Sequence, residues 1–137
     1  MAVISKTKAT LRIQGEDLIP EDITNMLGCQ PTHSQEKGEA LVGKNTGRKR
    51  EAKFGMWRLS ASAEIPGDLN AQITEIISML SQDINCWIEL SDNYDIDLFC
   101  GLFMEKGMEG IDISAKNLKA LGQRHIELSL DIYGPDD

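Results

Sequence analysis

Between Lys8 and Gln14 apolar and polar residues alternate: Ala9, Leu11 and Ile13 on one side, Lys8, Thr10, Arg12 and Gln14 on the other. A period of two is that of a half-buried strand, whose successive side chains point to opposite faces. Gly55 to Ser62 repeats the pattern, with Trp57, Leu59 and Ala61 inward and Met56, Arg58, Ser60 and Ser62 outward. Ile96 to Met104 is apolar on both faces apart from Asp97 and Gly101, as expected of a central strand. The last strand places Ile126, Leu128, Leu130 and Ile132 inward, and His125, Glu127, Ser129, Asp131 and Tyr133 outward.

Three segments read as helices. Pro20–Leu27 has Pro at the first helical position, Glu21 and Asp22 at the positive end, and Gly28 as a left-handed stop. After the Pro66-Gly67-Asp68 break, Leu69, Ile73, Ile76, Ile77 and Leu80 recur at helical spacing on one face. Ser114 caps a short helix running to Leu121, which Gly122 ends. "CWIEL", Cys86–Leu90, reads as a short edge strand, and "GPDD" as a frayed tail. Residues 29–53 show no periodicity, and so long a loop in a compact domain is usually functional or mobile.

The resulting order, strand–helix–strand, helix, strand–helix–strand, predicts an α+β fold. It would be an antiparallel or mixed sheet of four to five strands with three helices on one face. A ferredoxin-like, split βαβ arrangement is the leading form. The alternative is another α+β sandwich in which the long helix changes the sheet order. At 137 residues the chain reads as a single domain, residues 1–137, carrying the long irregular loop at 29–53.

Charge divides this picture in two. The net charge is −8, but residues 1–58 hold ten of the fourteen basic groups against seven acids, a net of +3. Residues 59–137 hold four basic groups against fifteen acids, a net of −11. Nucleic-acid binding is disfavoured, because neutralising phosphates needs a basic face. A cationic partner for the acidic half is favoured. Cys29, Cys86 and Cys100 are odd in number and form no CxxC pair, so they read as reduced thiols of a cytoplasmic protein. The N-terminal "MAVISKTKATLRI" has no long apolar stretch, so neither a signal peptide nor a membrane span is expected.

"GEALVGKNTGRKR", Gly38 to Arg50, carries the Gly-x-x-x-x-Gly-Lys frame of a phosphate-binding loop, with Asn45 where a hydroxyl should hold magnesium. Such a loop needs a strand before it and a helix after it, so that backbone N–H groups converge on the phosphates. "CQPTHSQEK" shows no strand alternation, and "NTGRKREAKFG" contains Gly47 and no helical repeat. The nucleotide reading is therefore rejected. "SDNYDIDLF" lacks the glycine turn and ligand spacing of a calcium loop, and reads as a solvated acidic turn. His125 shares a strand face with Glu127 and Asp131, but no placed nucleophile accompanies them. His33 reads as a solvated loop residue. No catalytic residue, metal or cofactor is assigned, and the protein is expected not to be an enzyme.

If the helices cover one face, alternate residues of four strands make the other face open. Exposed aromatics among charges there resemble an interaction surface. The expected partner-binding residues are Asp92, Asp95, Asp97, Phe99, Phe103, Glu105, Glu109, Glu127, Asp131 and Tyr133. In the alternative, the 29–53 loop closes a small anionic ligand against the same face through Arg12, Lys44, Arg48, Lys49, Arg50 and Arg58.

"ATLRIQGEDLIPEDITNMLGCQPTHSQEKGE", "GMWRLS" and "LKALGQRHIELSLDIY" together resemble the bacterial family catalogued as domain of unknown function 4279. The shared pieces are the Pro-Glu-Asp-Ile-Thr helix, Leu27-Gly28, Pro31-Thr32, Lys37-Gly38, Gly55 and Trp57, with a departure at Ile19, where a capping acid is expected. The resemblance implies a small bacterial α+β protein and carries no catalytic residue over. Small acidic proteins of this kind are frequent as immunity partners of bacterial toxins, so class-level analogy implies a stoichiometric binder of a basic toxin domain. Apart from the family, Gly55 is expected to turn the chain sharply into its strand, and Trp57 to pin the loop's end from inside.

Overall fold

A computed structural model describes residues 2–135. Its centre is a mixed five-stranded sheet built from β2 (Lys6–Gly15), β3 (His33–Gln35), β6 (Gly55–Ser60), β7 (Asp95–Phe103) and β9 (Glu127–Tyr133). The spatial order is β3-β6-β2-β7-β9, antiparallel throughout except for the parallel pair β7–β9. Two small sheets flank it. One pairs β1 (Ala2–Val3) with β8 (Glu109–Gly110), and the other is the hairpin of β4 (Ala40–Val42) and β5 (Lys49–Glu51).

Four helices supply the other layer: α1 (Pro20–Leu27), α2 (Leu69–Met79), α3 (Ile84–Asn93) and α4 (Ala115–Gln123). Ile23 and Leu27 of α1, Leu69, Ile73 and Ile76 of α2, Trp87 and Leu90 of α3 and Leu121 of α4 join one core cluster. From the sheet it takes Ala9, Leu11, Ile13, Trp57, Leu59, Ile96, Leu98, Cys100 and Leu102. These are alternate positions of β2, β6 and β7, so the helices lie on one face and the other is left open. Each fully buried large side chain contributes about 1.5–3 kcal/mol. Trp57 has no exposed surface and donates its indole N–H to Thr24 Oγ1 at 3.0 Å, which ties β6 to α1.

Several expectations are corrected. The helices among the described residues number four, because "CWIEL" lies in α3. Trp87 and Leu90, three apart, are its buried residues, while Ile88 and Glu89 between them are exposed. Asp83 caps this helix by accepting from Asn85 N at 3.0 Å. The split βαβ order is not what the strands adopt. It would separate each helix-linked parallel pair by another strand. Here β2 and β6 are antiparallel neighbours, and β7 and β9 are parallel neighbours joined through α4. Leu130 and Ile132 lie on the helix side in register with Cys100 and Leu102, yet they are 42% and 61% exposed. β9 is an outer strand, and the helices do not extend over its far half.

Residues 29–53 are also more ordered than the sequence suggests. They include β3 and the β4–β5 hairpin, whose residues are mostly exposed and so carry no apolar period. Gly55 is required for a different reason from a sharp turn. A Cβ there would meet the Leu18 carbonyl oxygen at 2.0 Å, so the strand needs a residue without a side chain where it passes that backbone. Ile19 makes no side-chain cap and leaves the start of α1 to Pro20, as its identity implies.

Candidate functional site

Register fixes what the open face presents. One row of side chains crosses the sheet as His33, Arg58, Arg12, Asp97 and Glu127. Charge therefore changes sign midway, between β2 and β7. At that boundary Arg12 donates to Asp97 through Nε at 2.8 Å and Nη2 at 2.5 Å, a two-pronged ion pair. Bonding to Asp97 raises the Arg12 pKa further above its ordinary value, against a smaller lowering by burial. Asp97 also accepts from Ser129 Oγ at 3.1 Å, and the Arg12 guanidinium lies 4.4 Å from the Phe99 ring centre.

The acidic flank follows β7 and β9. At its lower end a cleft of about 530 Å³ is lined by Gln14, Ser91, Asp92, Tyr94, Asp95, Ile96, Asp97, His125 and Glu127. Asp92 comes from the end of α3, Asp95 and Asp97 from the start of β7, and Glu127 from the start of β9. Among the described residues only Asp97 of these four is in an ion pair. At the other end Phe103 and Tyr133 stack with ring centres 4.8 Å apart and an interplanar angle of 8°. Lys6 and Lys8 approach the Phe103 ring at 5.5 and 5.7 Å. Gly101 leaves room beside this stack, because a Cβ there would sit a tight 3.0 Å from the Phe103 ring.

The basic flank lies around β6 and the hairpin. A groove of about 800 Å³ is lined by Gln35, Lys37, Leu41, Arg50, Glu51, Ala52, Lys53, Phe54, Met56 and Arg58. Met56 and Ala52 are buried, and Arg58 Nε donates to Met56 Sδ at 2.6 Å. Lys37 pairs with Glu16 at 2.8 Å, which raises the lysine pKa and lowers that of the glutamate.

The structure gathers most of the sequence-expected partner residues into one strip: Asp92, Asp95, Asp97, Phe99, Phe103, Glu127, Asp131 and Tyr133. Glu109 has a structural task instead. Its carboxylate accepts from Ser5 N, Ser5 Oγ and Glu105 N, joining the loop after β7 to the N-terminal segment. Burial pushes this carboxyl upward, but these hydrogen bonds outweigh it and the pKa falls. Glu105 is exposed on the same loop.

Of the anionic-ligand set, Arg50 and Arg58 line the groove, Lys49 borders a shallower hollow beside it, and Arg12 is engaged by Asp97. Lys44 and Arg48 sit at the hairpin tip, where Gly43 N bonds Arg48 O at 2.8 Å and no helix follows. The phosphate-loop frame is thus a hairpin. Lys37, Lys53, Phe54 and Met56 escaped the sequence reading, although the outward parity of Met56 beside Arg58 was a usable signal.

Neither Glu127 nor Asp131 hydrogen-bonds His125, which has a positive φ of 57° just before β9. Among the described residues no group of three or more His, Cys, Asp or Glu side chains is placed to hold a metal ion. Nor is any helix long and apolar enough to cross a membrane. The three cysteines are free, and burial with the nearby Asp97 charge pushes the Cys100 thiol up to about 12.

These features define an α+β protein with one helix-covered sheet face and one open, charge-divided face. The chain belongs to the family described as Domain of unknown function (DUF4279), whose profile matches residues 5–135. No curated protein and no solved structure matches it.

Proposed function

We propose that this is a non-catalytic, cytoplasmic protein-binding module of the immunity type, which neutralises a basic bacterial toxin domain by stoichiometric contact. The observation that carries the reading is the acidic cleft continuous with the β7–β9 strip. Asp92, Asp95 and Glu127 reach it from three different elements, and among the described residues none of them is in an ion pair. Carboxylates left unpaired at a cleft suit lysine or arginine side chains of a partner, and Phe99, Phe103 and Tyr133 add apolar anchors beside them. Association of this kind is faster at low salt.

The test is titration against the purified product of the adjacent gene by calorimetry, with an Asp95→Lys/Glu127→Lys variant alongside. The expected result is a one-to-one complex that weakens with salt and is lost in the variant. Absence of any complex, with that product harmless to cells lacking this protein, removes the basis of the reading.

The groove under the hairpin favours a second reading, a sensor of a small anionic ligand. Arg50, Lys53 and Arg58 line it with the apolar Leu41, Ala52, Phe54 and Met56, against a single acid, Glu51, a combination suited to a carboxylate or phosphate on an apolar body. Thermal-shift screening with phosphorylated metabolites and medium-chain carboxylates tests it. A real ligand raises Tm with concentration, and does so less in Arg50→Gln/Arg58→Gln. A flat response across the panel ends this reading without touching the first.

A further inference from the structure

The two outer strands of the sheet are unequal. β3 is three residues long, polar, and follows Pro31 closely. β9 is seven residues long, contains neither proline nor lysine, and carries exposed Leu130, Ile132 and Tyr133. Long outer strands invite pairing, and proteins normally blunt them with proline, charged side chains (lysine above all), bulges or short length. Of these β9 has only the two carboxylates of Glu127 and Asp131, with Pro135 lying two residues beyond its end.

Its backbone directions are readable. Tyr133 O accepts from Met104 N at 3.0 Å, so Tyr133 points its peptide groups toward β7. Alternation turns the peptide groups of Asp131, Ser129 and Glu127 the same way, and those of Leu128, Leu130 and Ile132 outward. Among the described residues no strand lies on that side to receive them.

We infer that two copies of this chain join edge to edge through antiparallel β9 strands, on a two-fold axis at Leu130, making one continuous sheet. Full pairing and charge together select this register, since axes at Leu128 or Ile132 leave much of β9 without a partner. Centred on Leu130, the joint pairs Leu128 with Ile132, Ser129 with Asp131 and Glu127 with Tyr133, so every residue of β9 has a partner. No carboxylate then opposes another. Moving the axis to Asp131 sets that residue against its own copy, and moving it to Ser129 sets Glu127 against Asp131. Like charges directly opposite one another destabilise a sheet. The chosen register also packs the exposed Leu130 and Ile132 into one apolar row on the helix side. The two copies of α4, with exposed Leu118, come to that same side.

Some repulsion persists, because the Asp131 carboxylates remain diagonal neighbours across the axis on the open face. The joint should therefore tighten with salt, the opposite of what a basic partner bound to the same face would show.

Sedimentation of the full chain from about 1 to about 500 µM tests association at its expected strength. The expected result is a mass rising from 15.2 kDa toward twice that value, with several-fold tighter association in high salt. In Ile132→Lys the mass stays at the monomer value. That residue is already 61% exposed, so the variant should keep its fold. Register is read by cross-linking in a Cys29→Ser/Cys86→Ser background. Leu130→Cys places two Cα atoms about 5.5 Å apart, within disulfide range. Ile132→Cys places them about 13 Å apart, four residues of strand rise away. Oxidation should give covalent dimers of the first and none of the second. A monomer at every concentration overturns the inference, as does equal cross-linking of the two variants.

Discussion

The two faces of the five-stranded sheet come from alternate residues of the same strands, yet they solve different problems. Leu11, Ile13, Trp57, Leu98 and Cys100 face the helices and are almost entirely buried. Arg12, Arg58, Asp97 and Phe99, their chain neighbours, are only partly covered and divide the opposite face by charge. The covered face holds the fold together through apolar area. The open face can change its charges at little cost to folding, and so is free to be shaped by a partner. A change of one position along a strand should therefore exchange a stability effect for a binding effect.

The strongest attempt to break this division is Trp57→Ala. It removes the largest buried side chain of the sheet and the bond to Thr24, and should cost about 3–5 kcal/mol in urea unfolding. A loss below about 1 kcal/mol would mean that the covered face does not dominate stability.

Asp97→Ala comes next, since it strips the half-buried Arg12 of its carboxylate and frees Ser129. A cost of about 1–2 kcal/mol is expected, below that of a fully buried pair. It marks a place on the open face where stability and charge meet.

Glu127→Lys, one row-mate further out, should change stability by no more than about 0.5 kcal/mol while weakening a basic partner. A large fall in Tm would assign Glu127 a structural role.

The smallest effect belongs to Lys44→Ala at the hairpin tip, for which an unchanged Tm and no ATP-dependent shift in the parent protein are expected. Saturable, magnesium-dependent ATP binding lost in that variant would restore the nucleotide reading and make the anionic ligand the leading one.

Much of the covered face was legible in advance. Alternation located β2, β6 and β7, and Pro20 with Gly28 bounded α1 to the residue. "CWIEL" was not legible, because five residues with apolar positions at Cys86, Ile88 and Leu90 fit a strand, and only burial of Trp87 with Leu90 decides for a helix. The β4–β5 hairpin left no trace because both of its faces are solvated. Exposure of Leu130 and Ile132 depends on how far the helix layer extends, which no local pattern encodes. On the open face, parity alone collected Asp97, Phe99, Glu127 and Tyr133. The groove stayed hidden because it exists only where the hairpin meets Met56 and Arg58, a contact set by tertiary placement.

The hairpin is closed at its base by two bonds through Ala52, which accepts from Gly38 N and donates to Glu39 O, each at 2.8 Å. Everything beyond that clasp is exposed or half-exposed chain, and lengthening such a loop twofold costs only about 0.6 kcal/mol. Residues 40–51 therefore behave as an interchangeable cassette. A foreign sequence ending in the same clasp would inherit a seat beside Arg58, and the lining of the groove could change there while the sheet and its helices stayed as they are.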